Sequence, residues 1–548
     1  MVKMIYDKLN LTKWLPLIVL SSALMIIIID TTVLNVSIRN MLVDLKTNVR
    51  DIQWVISAYS LTLAALTVTG GRLGDLYGRK KMFKVGAVLF AIGSIVTSLA
   101  PTIGWVIFGN AIIEGIGAAL MMPATASLLV ANYKGKDRAL AFAIWGSVAA
   151  AAAGIGPILG GFLTTNYSWR YAFRINLVVV TLLLIGTKYI NESKDRSEKT
   201  MLDFGGIALS SIALVSIVYG LIEASEFGWW TAKKSLQIFG NQISPFGLSI
   251  TPFAIIFGII LLIFFGLYEN KRELSGKTPL VSLGLFKNIQ FTAGAVTTAL
   301  MAIGQTGLIF AIPIFYQSVL GLDAFHAGLG LLSLSIAIMI GAPSALSLTR
   351  WMLPKRIIQL GFVISLIGTA VLYTELGVDS TTWTLAPGLF IYGLGMGFGF
   401  SQLGNLTLSA VSVEQSGEAS GVNNTLRQIG SSFGSAIIGA ALISTLTSSI
   451  ISDLQSSSVI PVEAKPQIIE EVKKQGSNIE FQQPRLDSKT PPEIRKEILD
   501  TTHNATVKGN KVALAFTALF ATIGLLFSTI LPSIKDLESG QKASIITE

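Results

Sequence analysis

Two acids stand where a membrane protein can least easily hold them. Asp30 lies in the apolar run from Leu15 to Val36, and Glu114 lies in another between residues 103 and 131. A carboxylate at bilayer depth costs about 2.5–3.5 kcal/mol on insertion scales, so each needs a proton, a partner or a water-filled cavity. The chemistry open to such groups is proton exchange, or attraction of a cation that a proton then displaces. At 100° per residue, Asp30, Thr31, Asn35 and Ser37 fall within about a 160° arc, a polar face suited to a cavity wall. A structural role is also open: Glu114 could be hydrogen-bonded to Asn110, one turn away, or to a neighbouring helix. Arg427 is the one arginine well inside an apolar run. It either compensates an acid across a cavity or bonds to backbone carbonyls near the inner surface. Asn110 and Gln305 are further cavity candidates. The rings of Trp54, Tyr59, Phe310 and Tyr316 could stack on planar or cationic compounds, or serve the lipid-facing and interfacial surfaces where aromatics are common.

The elements that position these residues follow from composition. Of 548 residues, 51% are hydrophobic and 13% charged, half the charge of a soluble domain. About fourteen apolar segments recur, at 14–36, 52–73, 82–100, 103–131, 139–164, 171–190, 204–224, 250–268, 290–316, 325–348, 356–375, 384–411, 420–446 and 511–531. An all-α integral membrane protein follows. The first segment is too long for a signal-peptide core and lacks a small-residue cleavage site, so it is read as a retained span. Lys and Arg favour one set of alternate loops by roughly three to one, which puts both termini in the cytoplasm. The +9 net charge is thus a topology signal, and nucleic acid is not an expected partner. Cysteine is absent and only His326 and His503 are present, so no metal site, disulfide or cofactor is expected. Spans seven and eight sit between two blocks of six and look inserted, and Glu223, close to the outer end of span seven, is expected at the membrane interface. The domains are therefore 1–190, an inserted pair at 204–270, and 288–548. The last includes a polar outer loop, 447–510, with helical periodicity at 462–474 and 492–499; it reads as a solvated cap or an outer gate.

Two motifs narrow the class. At an inner helix end stands Gly71-Arg-Leu-Gly-Asp75-Leu-Tyr-Gly78-Arg79-Lys-Lys81, where glycine permits a tight turn and Asp75 could accept from a neighbouring helix start. The fifth span carries Gly154-Ile-Gly156-Pro157-Ile-Leu-Gly160-Gly161, a proline that bends a membrane helix among glycines that let another approach. The first motif resembles the loop signature of the major facilitator superfamily. The second resembles the antiporter signature of its drug exporters. Asp30 to Val36, Trp54 to Leu61, Trp169 to Asn176, Ile312 to Gln317 and Gly417 to Gly430 resemble the fourteen-span drug:proton antiporters, although Val178 stands where a proline is usual.

That resemblance implies two six-helix bundles plus two inserted helices in the cell membrane. It implies proton-coupled export of lipophilic, cationic small molecules by alternating access, by a monomer among membrane lipids and without enzymatic chemistry. Import of a polar metabolite by symport is the alternative. It would also place Asp30 and Glu114 on the central cavity, as a pair that titrates together. One departure stands out: Ala111 occupies the position of the family's usual arginine, four residues before Gly115.

Overall fold

The computed structural model describes residues 11–192, 203–232, 236–238, 241–243, 247–277, 279–411, 416–466, 468–470 and 491–531. Among the described residues, fourteen long helices carry the chain. The first six are α1 (Leu11–Leu45), α2 (Val49–Tyr77), α3 (Arg79–Ser98), α4 (Ile103–Asn132), α5 (Gly135–Asn166) and α6 (Arg170–Gly186). Next come α7 (Phe204–Phe227) and α8 (Ile250–Leu274). The last six are α9 (Ile289–Ser318), α10 (Ala324–Leu348), α11 (Pro354–Glu375), α12 (Thr382–Leu408), α13 (Ser416–Ser456) and α14 (Pro492–Phe527). Among the described residues, thirteen helices are long and apolar enough to cross a bilayer. The fourteenth, α5, whose side chains are described in part, is a continuous helix of 32 residues. A small antiparallel hairpin, β1 (Leu236–Ile238) on β2 (Asn241–Ile243), lies in the α7–α8 connection.

Local chemistry sets the helix ends. Asn48, Asp203, Ser249, Asn288 and Asp323 each cap a helix by accepting from a first-turn backbone N–H. Gly78, with φ of 106°, turns α2 into α3. Within α4, the stretch Ile107–Glu114 is π-helical, and it carries both Asn110 and Glu114. Such wide turns recur at functional sites.

Glycine sets the packing distance between helices. A Cβ on Gly86 would press on the Gly117 carbonyl at 2.6 Å, and one on Gly117 would meet Phe90, which brings α3 and α4 together. The glycine run of α12 packs two ways: Gly393 and Gly397 against α10, and Gly395 against Gly361 and Ser365 of α11.

Two features differ from the sequence expectation. Residues 447–510 are not one loop, because α13 continues to Ser456 and α14 begins at Pro492. At 41 residues, α13 is about 60 Å long, twice the hydrocarbon core. Its apolar stripe, Leu446, Ile450 and Leu454, packs on Ile498 and Ala505 of α14, and Lys508 pairs with Asp453 at 2.9 Å. The polar composition hid a stripe at helical spacing. The 492–499 periodicity lies in α14; residues 471–474 fall outside the described set.

The second concerns α7. It packs on α2 and on α13, with Leu214, Val218 and Ile222 against Leu61 and Ala436. Glu223, expected at the membrane interface, is buried there and meets Arg50 and Trp54 of α2. Arg50 also pairs with Glu226. By contrast α8 exposes Ile256, Phe257, Ile260, Ile263 and Phe264, a lipid-compatible face.

Candidate functional site

Asp30 and Glu114 belong to one closed ring of hydrogen bonds that joins four helices. Asn110 Nδ2 donates to Asp30 Oδ2 at 2.8 Å and to Glu114 Oε2 at 2.6 Å. On the other side, the Ser94 hydroxyl of α3 donates to Glu114 Oε1. Asn176 of α6 closes the ring by donating to Ser94 Oγ at 3.2 Å and to Asp30 Oδ1 at 3.3 Å. Asp30 is 4% exposed, and Glu114, Asn110 and Ser94 are fully buried. Every donor in the ring is neutral. Two negative charges so placed in low dielectric repel each other, with no cation in the ring to offset them.

In front of this ring lies a central cavity of about 660 Å³, within the size range of small-molecule sites. Thr31, Asn35, Tyr59 and Ser60 supply polar groups on the α1–α2 wall. Gln305, Ser401, Arg427, Gln428 and Ser431 supply them on the α9–α13 wall. Between them the surface is apolar, with Ile27, Ile28, Ile309, Ile338, Met339 and Phe400. Neither acid is in the lining. The sequence reading put both on the cavity wall; they stand one layer behind it, turned toward α3, α4 and α6.

The cavity is sealed on the side of the α13–α14 extension. Gln53 Nε2 donates to the Ser435 and Ala436 carbonyls at 2.6 and 3.0 Å, and the Ser57 and Ser435 hydroxyls share a 2.6 Å bond. Ser432 donates to the Ser57 carbonyl at 3.0 Å. Gln317 of α9 donates to the Val36 carbonyl of α1 at 3.1 Å. These bonds cross from the first six helices to the last six.

Both signature motifs take structural positions around this core. Gly156 and Gly160 of α5 sit against Thr32 and Val33 of α1, where any Cβ would collide. Gly161 sits against the backbone of Ala324 and Phe325 in α10, and Gly328 of α10 returns the contact on Pro157. This helix therefore touches both halves within a few residues of the acid ring. At the basic end, a Cβ on Gly78 would meet the Glu192 carboxylate at 3.0 Å. Lys80 donates its backbone N–H to Glu192 at 2.8 Å and its Nζ to the Ile190 carbonyl at 2.7 Å, so the turn is latched to the end of α6. Gly71 faces Pro123 of α4 and Gly74 packs on Arg79. The side chain of Asp75 lies outside the described residues.

Three aromatics are elsewhere. Trp54 turns away from the cavity and donates Nε1 to Glu223 at 2.9 Å, beside Tyr219. Phe310 is fully buried in the core near the Gln53 seal. Tyr316 is fully buried against Gly330. Only Tyr59 of the four reaches the lining. Conversely, Ser94 and Asn176 were not singled out from sequence as site residues. The available signal was a polar side chain inside an apolar span; Asn176 even ends a quoted motif.

A family model described as Major Facilitator Superfamily matches residues 20–435. The chain is 28% identical to a probable actinorhodin transporter of Streptomyces coelicolor, over 80% of this chain and 73% of that one. It is 26% identical to the multidrug resistance protein Stp of Mycobacterium tuberculosis, over 83% of this chain and 80% of that one. Among solved structures, a bacterial homologue of the human lysosomal transporter Spinster, inward-facing and unoccupied, superposes with a TM-score of 0.60. It is 14% identical, covering 96% of this chain and 98% of that one, a likeness of fold.

Proposed function

The chain belongs to the Major Facilitator Superfamily, and on that premise we propose that it is a proton-coupled antiporter that exports lipophilic small molecules from the cell. The observation that carries this reading is the Asp30–Asn110–Glu114–Ser94–Asn176 ring directly behind the cavity wall. Relatives named as a probable actinorhodin transporter and as a multidrug resistance protein agree with it. The moving bodies are residues 1–190 and 288–548, with 204–270 as the inserted pair, in a cell membrane with both termini cytoplasmic. One chain forms the whole cavity, which fits a monomer.

Alternating access supplies the cycle. With the cavity sealed on the extension side, substrate enters from the basic, cytoplasmic side. A proton arriving from outside settles on the acid pair and changes the hydrogen bonds that hold α1 against α4 and α6. Because α1 also carries Val36, Thr32 and Val33, that change reaches the Gln317 seal and the Gly156–Gly160 contact. Loss of the proton to the cytoplasm restores the starting arrangement. A cationic cargo was the expectation from sequence, and it rested on carboxylates facing the cavity; these acids face the ring instead.

The test is a transport screen in proteoliposomes with cationic, zwitterionic and anionic xanthene dyes under an imposed pH gradient. The proposal expects at least one dye to move against its gradient and to stop when an ionophore collapses the pH difference. Dye movement indifferent to that collapse contradicts it.

A further inference from the structure

Arg427 reaches the cavity wall from α13, about eleven residues, or about 16 Å, from the start of that helix. Neither role considered from sequence is present. Among the described residues it makes no ion pair and no hydrogen bond, and its Nε is shut away from solvent without an acceptor. Of the described residues lining the cavity, Arg427 alone carries a full charge. The two acids of the ring, Asp30 and Glu114, accept from Asn110, Ser94 and Asn176 and not from Arg427.

Arg427 is half-buried with its Nε shut from solvent, and a charge so withdrawn from water is ordinarily paired, because the alternative is a desolvation cost. Guanidinium presents a planar fork of donors that matches a carboxylate in two parallel bonds. The surrounding wall asks for something different: Ile27, Ile309, Met339 and Phe400 suit an apolar body, and methionine adapts to varied shapes. We infer that Arg427 anchors an anionic oxygen group, a carboxylate or phenolate, carried on an otherwise apolar substrate. This rests on the reading of the cavity as the transport site and names the chemical class it takes. It also separates the seat of the substrate from that of the proton. Coupling then runs through helix packing, without the two cargoes competing for one carboxylate.

The test is equilibrium binding to the purified full chain in detergent, which needs no gradient. Two xanthene dyes with the same ring system serve as probes, one with its free carboxylate and one as the ethyl ester, each followed by fluorescence anisotropy. Wild type is expected to bind the acid at least about tenfold more tightly than the ester, the scale of a charge-assisted pair. Arg427→Gln removes that difference by weakening the acid alone. Arg427→Lys, which keeps the charge but not the fork, retains a smaller preference for the acid and controls for loss of fold. Equal or tighter binding of the ester by wild type overturns the inference, as does an unchanged acid preference in Arg427→Gln. Failure of proton-driven transport in vesicles bears on the proposed function and leaves this binding comparison standing.

Discussion

Asp30 and Glu114 hang from the same side-chain nitrogen, that of Asn110, at 2.8 and 2.6 Å. One amide thus spends both of its protons on two carboxyl groups from different helices, α1 and α4. Removing the bridge leaves two acids with fewer donors in a site without water-like compensation. Asn110→Leu is expected to cost about 1–3 kcal/mol, the scale of an unsatisfied buried polar group, read as a lowered melting temperature in detergent. Asn176→Leu, whose bonds are 3.2 and 3.3 Å, costs less. An equal or larger loss for Asn176→Leu would show that the bridge is not the dominant tie.

Replacing one acid at a time separates proton exchange from structure. Glu114→Gln preserves an acceptor for Ser94 but removes a titrating group, so the fold survives while proton-driven transport falls by roughly tenfold or more, the scale of one lost charge contact. Wild-type transport by Glu114→Gln would confine the exchange to Asp30.

The seal makes a prediction that the chain is well suited to test, since it contains no cysteine. The Ser57 and Ser435 hydroxyls are 2.6 Å apart, so the double variant Ser57→Cys, Ser435→Cys should form a disulfide under mild oxidation. The cross-link holds the extension side closed and stops transport, and a reductant restores it. Full transport by the oxidised, cross-linked protein would mean that these helices do not separate during the cycle.

A fourth prediction concerns the inserted pair. Arg50 ties α2 to Glu223 and Glu226 of α7, and Trp54 adds a bond to Glu223. Arg50→Met leaves two acids facing each other and is expected to lower stability by about 1 kcal/mol, since Arg50 and Glu226 are partly exposed. Thermal unfolding measures it. An unchanged midpoint would assign the hold on α7 to its apolar stripe, Leu214, Val218 and Ile222, alone.

Much of this was legible in the chain because membrane spans announce themselves by length and apolarity. The acids and the two signature motifs could be singled out by type and spacing. What the sequence could not disclose was direction. On α9 the cavity face runs through Gln305 and Ile309; Phe310 is turned about 100° from Ile309, and Tyr316 lies about 10 Å beyond it. Residue type alone made both candidates. The ring escaped notice for a related reason: Ser94 and Asn176 come from helices far apart in sequence, and only folding brings them to Asp30. The π-helical stretch over Ile107–Glu114 left no mark in the hydrophobic pattern, which is too coarse to register one extra residue per turn.

The central claim is that protons taken up by the Asp30–Glu114 pair drive export. Its most direct test is proton flux in inside-out vesicles with an acid lumen, containing wild type or Asp30→Asn, with a pH dye inside and a transported xanthene dye added outside. Dye addition is expected to release protons from the lumen in wild type, and Asp30→Asn to abolish this release while dye still binds. Dye accumulation by wild type with no proton movement, or proton release that persists in Asp30→Asn, would contradict it.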